Sequence, residues 1–263
     1  MEIIVLVKQV PDTTEVKLDP KTGNLIREGI ESIINPDDRH AIEAAVSLKE
    51  KHGGDVTAIS MGPPQAIDAI SEAMGMGVDK GILLSDRAFA GADTWATSFT
   101  LGKAIEKVGE FDLIICGRQA IDGDTAQIGP QVADYLDIPH VTYVFDIEEV
   151  QDGRIVVKRR LEDGFERIQC QLPALLTVIG ELNQPRYAMV DRLIDACKDK
   201  APIKVWNAAD LGVQVSEVGL SGSLTQVIKT FAPKTERQGQ ILEGDVPTVV
   251  AELLGKLKEN RLI

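Results

Sequence analysis

Between residues 3 and 136, short runs of β-branched and aliphatic residues alternate with stretches whose apolar positions recur at helical spacing. Strand–helix alternation of this kind is the pattern of βαβ units and a mostly parallel sheet, which excludes most other fold classes. Strands are expected over 3–7, 56–61, 81–85 and 111–116. The first intervening helix opens at Asn35-Pro36-Asp37-Asp38, with proline at an early helical position and carboxylates in the first turn. Ala41, Ile42, Ala45, Val46 and Leu48 continue it, and Gly53-Gly54 ends it. Further helices are expected over 65–74, 94–108 and 130–136. Residues 15–28, around Pro20 and Gly23, interrupt the alternation and read as a hairpin excursion.

Beyond residue 140 the pattern changes. Strands are expected over 141–145, 155–158, 166–170 and 175–179, with polar turns such as Asp152-Gly153 between them, which implies an antiparallel extension of the sheet. From 201 to 246 the chain loses clear periodicity, and a stretch that long rarely sits free inside a compact domain. A helix over 247–257 follows, with Val249, Val250, Leu253, Leu254 and Leu257 on one stripe. That stripe either packs on its own domain or belongs to an arm that crosses onto another subunit. The fold class is α/β with a mostly parallel sheet, divided into a core over 1–200 and an arm over 201–263.

Composition removes several function classes. The net charge is -13 and aromatics are 4%, which leaves neither a cationic surface nor stacking platforms for nucleic acid. No run approaches the ~20 apolar residues of a membrane span. The apolar N-terminus lacks a basic region and a cleavage site, so it reads as a first strand rather than a signal peptide. Cys116, Cys170 and Cys197 lie far apart, without CxxC spacing, and read as buried thiols of a reducing cytoplasm. His40, His52 and His140 are equally scattered, and no metal-ligand spacing appears. Redox work by such a chain needs a cofactor.

The most informative segment follows the fourth strand: Gly117-Arg118-Gln119-Ala120-Ile121-Asp122-Gly123-Asp124-Thr125-Ala126-Gln127-Ile128-Gly129. In open α/β sheets ligands sit beyond the carboxyl ends of the strands. Glycine admits close approach, and a following helix N-terminus offers N–H groups to a phosphate. Gln119, Asp122, Thr125 and Gln127 supply groups able to read an adenine or a ribose. The loop is neither GxGxxG nor a Walker A sequence, so it is either a nucleotide site or an ordinary polar connection. Loops 8–12 and 85–98 should share this face. In the second, Asp93 or Thr94 is an N-cap candidate. Either it only caps, or Gly91, the Thr94 hydroxyl and the helix N–H groups hold a pyrophosphate with Arg87 nearby. No Gly-x-Ser-x-Gly elbow or Cys–His arrangement is present, and Asp37-Asp38 reads as first-turn helix charge rather than a catalytic acid pair.

Several motifs, in order and at matching intervals, give the chain a family resemblance. They are Val5-Leu6-Val7-Lys8-Gln9-Val10, Asn35-Pro36, Ile59-Ser60-Met61-Gly62-Pro63 and Gly117 to Asp124. Two more are Lys158-Arg159-Arg160-Leu161-Glu162-Asp163-Gly164-Phe165-Glu166 with Leu172-Pro173-Ala174, and Asn183-Gln184-Pro185-Arg186-Tyr187-Ala188. Together they resemble the electron-transfer flavoprotein beta family over nearly the whole chain. The resemblance implies a Rossmann-like sheet, a flavin-bearing alpha subunit as partner, and a C-terminal arm that embraces it. The family's adenine-nucleotide site maps onto Leu6, Met61 and the segments 35–38 and 117–128, with Asn35, Asp37, Gly117, Gln119, Ala120, Asp122, Gly123, Asp124, Thr125, Gln127 and Ile128 as the residues singled out. In housekeeping members the ligand is AMP and the complex takes electrons from acyl-CoA dehydrogenases.

Segments 10–14, 60–65 and 86–98 are more similar to the bifurcating branch, in which FAD replaces AMP. That likeness implies that Gly91, Asp93, Thr94 and Thr97 make the additional contacts. It further implies hydride from NADH, with one electron passed to ferredoxin or flavodoxin. The other goes through the alpha-subunit FAD to an acyl-CoA dehydrogenase of the butyryl-CoA type. The family's docking loop follows Tyr187 and usually carries a leucine anchor. Here Val190 stands at that position, flanked by Met189, Leu193 and Ile194, and the spacing fits exposure or burial alike. Two other readings are a housekeeping AMP-bearing carrier and a free-standing nucleotide-binding protein of the stress type. The unsupported arm argues against the second, as does the lack of a phosphate-binding Gly-Lys-Ser/Thr.

Overall fold

Alternating burial explains why the apolar runs become the centre of a sheet. In β1 (Ile3–Leu6), Ile3 and Val5 join one apolar cluster while Ile4 and Leu6 join another, so the strand is covered on both faces. The computed structural model describes residues 1–12, 31–198, 200–228 and 239–263. The hairpin expected over 15–28 lies outside the described residues.

The remaining strands are β2 (Gln9–Pro11), β3 (Ser32–Ile34), β4 (Val56–Met61), β5 (Lys80–Leu84), β6 (Leu113–Gly117) and β7 (His140–Gln151). After them come β8 (Arg154–Leu161), β9 (Gly164–Gln171), β10 (Ala174–Val178) and β11 (Ile203–Trp206). The helices are α1 (Pro36–His52), α2 (Ile67–Met76), α3 (Thr94–Val108), α4 (Ile128–Tyr135), α5 (Val190–Ala196), α6 (Ala208–Leu211), α7 (Gly219–Gly222) and α8 (Val246–Glu259). A nine-stranded sheet has the order β11-β5-β4-β1-β6-β10-β7-β8-β9. Pairing is parallel from β11 to β7 and antiparallel through β7, β8 and β9. The fold is therefore α/β, mostly parallel with an antiparallel extension. α1 and α2 pack through Ile42, Ala45, Val46, Ile70 and Ala73 on one face. On the other, α3 and α4 pack through Leu101, Ala104, Ile105, Val132 and Ala133. A Cβ added at Gly102 would lie 2.2 Å from the Tyr135 ring, so α3 and α4 approach closely there.

Three details differ from the sequence reading. β10 does not belong to the antiparallel extension; it lies between β6 and β7, parallel to both. Its burial on both faces fits that central place. The segment after 201 does not stay irregular: Ile203–Trp206 pairs with β5 as a parallel edge strand, and α6 and α7 follow. Cys116 and Cys170 are buried thiols, but Cys197, just beyond α5, is exposed.

Chain order defines the functional end of the sheet. From β1 the chain moves outward on one side through β4 and β5, then returns to place β6 on the other side of β1. That reversal is a topological switch point, and in open α/β sheets the ligand crevice lies beyond the strand carboxyl ends, here those of β1 and β6. A cavity of about 540 Å³ lined by Glu2, Asp112 and Pro173 lies at the opposite end, before the strands begin. Residues 239–263 belong to a separate unit that carries α8. Asp245 caps this helix by accepting from Thr248 N at 3.3 Å, and Val250, Leu253 and Leu254 are exposed. Among the described residues no helix is long and apolar enough to cross a membrane.

Candidate functional site

The crevice is built around a buried carboxylate. Asp38 accepts from Lys8 N at 2.8 Å through one oxygen and from Gly117 N at 3.0 Å through the other. Lys8 follows β1 and Gly117 ends β6, so one side chain of α1 joins the two strand ends at the switch point. Burial pushes the Asp38 carboxyl up to about 7, against the opposing pull of the Lys8 N–H, Asn35 and the Gly117 N–H. Asp38 is thus not the solvent-facing helix charge that its place in a first turn implies. Gly117 is required here, because an added Cβ would lie 2.4 Å from Asp38 Oδ1 and 2.7 Å from Asp37 Cβ.

Neighbouring residues shape the loop after β6. Asn35 does not cap α1 with its side chain. Instead its Nδ2 donates to Gln119 O at 2.9 Å and its Oδ1 accepts from Ile121 N at 3.1 Å. Lys8 Nζ pairs with Asp122 at 2.6 Å across the crevice. Gln119 donates to Asp124, and the Gly123 and Asp124 N–H groups both reach Ala120 O, at 3.2 and 2.8 Å. Asp124 and Ala126 sit at φ of 53° and 54°, left-handed conformations that cost on the order of 1 kcal/mol each. Asp37 lies 3.8 Å from Arg118, and its carboxyl is raised by burial against the pull of Arg118 and His40. Gly123 faces open space, with Lys8 Nζ at 4.0 Å the nearest atom to an added Cβ.

A second loop, between β5 and α3, borders the first. Asp93 caps α3 by accepting from Ala96 N at 3.0 Å. Its other oxygen accepts from Thr225 N at 2.8 Å and Thr225 Oγ1 at 2.9 Å, while its own N–H donates to Ser223 Oγ at 2.8 Å. Burial would raise the Asp93 carboxyl, but the Ala96 and Thr225 donors hold it below the usual range. Asp86 accepts from Ala88 N and Ala208 N, both at 3.0 Å. Gly91 sits at φ 73°, and Arg87 is exposed. Thr94 Oγ1 donates to Gln127 Oε1 at 2.9 Å and accepts from Gln131 Nε2 at 3.3 Å, which ties the two loops together.

Most of the residues singled out from sequence thus lie along one rim. Asn35, Asp37, Gly117, Gln119, Ala120, Asp122, Gly123 and Asp124 cluster at the switch point, and Thr94 and Gln127 bridge to the second loop. Leu6 ends β1, and Met61 and Ile128 pack against the cluster beneath. Met61, Thr97 and Thr125 make no side-chain hydrogen bond among the described residues. The sequence reading placed Lys8 and Arg118 within loops 8–12 and 117–129 without giving either a role, and it did not foresee the Ser223–Thr225 ties. Lys8 and Arg118 were visible as cations flanking strand ends, whereas no local signal marks residues more than a hundred positions from Asp93.

The crevice carries features that a phosphate-bearing ligand can use. It has a glycine facing open space, a second loop carrying a helix N-terminus whose first N–H groups have no intrahelical acceptor, and cations at Lys8 and Arg118. Arg118 Nε and Ser60 Oγ, at the ends of β6 and β4, are buried without a hydrogen-bond partner among the described residues. The Cys116 thiol is buried and its pKa is pushed up by burial, and no cluster of three metal-binding groups occurs among the described residues.

Beyond the crevice, the segment after β10 presents an apolar surface. Tyr187, Met189, Val190 and Ile194 are 95%, 60%, 70% and 55% exposed, while Leu193 faces inward against α2.

Comparison with known proteins fits this geometry. An electron transfer flavoprotein domain matches residues 22–211. The chain is 53% identical, over the full length of both, to the electron transfer flavoprotein subunit beta of Thermoanaerobacterium thermosaccharolyticum. It is 51% identical, again over both full lengths, to the caffeyl-CoA reductase-Etf complex subunit CarD of Acetobacterium woodii. It is 43% identical over both full lengths to the acryloyl-CoA reductase electron transfer subunit gamma of Anaerotignum propionicum. With its switch-point crevice and these relatives, the chain belongs to the electron transfer flavoprotein family, as a beta subunit.

Proposed function

We propose that the crevice holds FAD and that this subunit, paired with a flavin-bearing alpha subunit, takes hydride from NADH and divides the electrons between two acceptors. The observation that carries the reading is the Thr94–Gln127 bond at 2.9 Å, which makes loops 85–94 and 117–127 one continuous rim. The loop after β6 offers polar groups that can read an adenosine, Gln119, Asp122, Thr125 and Gln127 among them. A second loop with a helix N-terminus extends the rim toward a pyrophosphate and ribityl chain, which a mononucleotide does not need. When bound, the flavin supplies hydride acceptance and single-electron donation. The residues do the rest. Asn35 and Asp38 hold the adenosine loop and the strand ends, Lys8 and Arg118 offset phosphate charge, and Gly91, Asp93 and Thr94 shape the second loop. Thr97 lies one turn further along the same face of α3.

The relatives named for caffeyl-CoA reductase and acryloyl-CoA reductase support a CoA-thioester dehydrogenase as the final acceptor, docked on residues 187–194. Ferredoxin or flavodoxin takes the other electron, and the complex works in the cytoplasm. The other reading places structural AMP in the adenosine half alone, as in a housekeeping carrier, and the same loop after β6 accommodates it. Anaerobic titration of the alpha–beta heterodimer with NADH tests the proposal. Bleaching of flavin absorbance by stoichiometric NADH, without any dehydrogenase present, is expected. Absence of bleaching, together with full reduction by dithionite, overturns it.

A further inference from the structure

The apolar segment after β10 is fastened unevenly, and Arg186 makes most of its ties. Its N–H and Nε donate to Glu43 Oε2 at 3.0 and 2.8 Å, and Nη2 donates to Glu43 Oε1 at 3.0 Å. The same guanidinium reaches Glu50 through Nη1 at 2.6 Å and Nη2 at 3.0 Å. Glu43 and Glu50 stand about two turns apart on one face of α1. Burial opposes ionisation of Glu43, yet the Arg186 fork and the Ser47 hydroxyl hold its carboxyl below the usual range. The next fastening is Met189 N to Gly75 O at 2.9 Å, on α2. An added Cβ at Gly75 would lie 2.9 Å from Ala188 Cβ, so the segment sits directly on that helix. Around these ties Tyr187, Met189, Val190 and Ile194 stay exposed. At about 1.5 Å per residue along α1, Glu43 and Glu50 lie about 7.5 and 18 Å from Asp38, and among the described residues neither bonds a residue of the crevice loops.

We propose that Arg186 is the positioning residue for dehydrogenase docking: clamped on Glu43 and Glu50, it presents Tyr187, Met189, Val190 and Ile194 as a preformed apolar patch. This rests on the docking reading above. A segment already ordered does not have to be ordered when the partner arrives, so affinity is gained without a new contact across the interface. A planar fork satisfying two carboxylates is a task for arginine, which lysine performs only in part.

The test uses the whole heterodimer as electron acceptor for an acyl-CoA dehydrogenase at saturating acyl-CoA, with the flavoprotein concentration varied. Arg186→Ala should raise the KM for the flavoprotein about tenfold, equivalent to about 1.4 kcal/mol, and leave kcat unchanged. Arg186→Lys and Glu50→Gln should give smaller rises in KM. Flavin content and reduction by dithionite should match wild type in all three, a split that a general loss of folding does not produce. An unchanged KM in both Arg186→Lys and Glu50→Gln overturns the proposal, even if Arg186→Ala fails to fold. Met189→Asp combined with Val190→Asp tests the docking reading separately. If that pair leaves KM unchanged, docking lies elsewhere and both ideas fall. If it raises KM while the Arg186 and Glu50 variants do not, the clamp alone is refuted.

Discussion

Gly117→Ala is the sharpest structural perturbation of the crevice. The new Cβ would meet Asp38 Oδ1 at 2.4 Å, Asp37 Cβ at 2.7 Å and the Asp37 carbonyl carbon at 2.9 Å. Two of those atoms are close to the helix backbone, so the strain cannot be relieved by turning a flexible side-chain end. Either α1 shifts away from β6 or β6 twists at its last residue. Overpacking of this kind costs about 1–3 kcal/mol. Lengthening the 3.0 Å bond from Gly117 N to the buried carboxylate adds about 1.5–3 kcal/mol. Together that is about 2.5–6 kcal/mol, or a fall in Tm on the order of 10 °C for a chain of this size. The same shift displaces Gln119 and Ile121, which Asn35 holds, so nucleotide retention should fall with stability. Thermal melts of the heterodimer, with chromatography of released nucleotides, measure both. A variant melting within about 2 °C of wild type with full nucleotide would refute the view that Asp38 and Gly117 define the crevice.

Three other outcomes follow from the same contacts. Asp38 has its carboxyl at about 7, above the ordinary 3.8, so the folded state favours its protonated form. Its contribution to stability is therefore greatest below about pH 4 and is lost as pH rises to about 7, by up to about 1.4 kcal/mol per unit. Urea melts across that range should show wild type losing stability relative to Asp38→Asn as pH rises, and a slope of the opposite sign would contradict the burial argument. Asp93→Ala removes the α3 cap, worth about 0.5–2 kcal/mol, and releases Thr225, so FAD content should fall more than AMP-sized binding measured by calorimetry. Gly102→Ala sets a Cβ 2.2 Å from the Tyr135 ring and should lower Tm through about 1–3 kcal/mol of overpacking while nucleotide content per folded heterodimer is unchanged.

The parallel core was legible because its strands are buried on both faces and its helices carry apolar positions at helical spacing. Pro36, Gly53 and the Asp93 cap marked boundaries through backbone chemistry that is local in sequence. β10 was misread because a short apolar strand after two hairpins looks the same whether it continues the antiparallel run or returns to the centre. β11 was missed because its half-exposed edge position gives IKVW no strict alternation. At the crevice, residue types and glycine placement marked the loop after β6. The role of Asp38 was hidden by its place in a first helical turn, where acids need no other explanation. The ties of Asp93 to Thr225 and of Arg186 to Glu43 span more than a hundred residues, beyond any local pattern.

The central claim is that the switch-point crevice of this beta subunit holds a second FAD. Its most direct test is the nucleotide content of the purified alpha–beta heterodimer, released by denaturation and resolved by chromatography. The account predicts two FAD per heterodimer and no AMP. One FAD and one AMP would contradict it and assign the crevice to a structural mononucleotide.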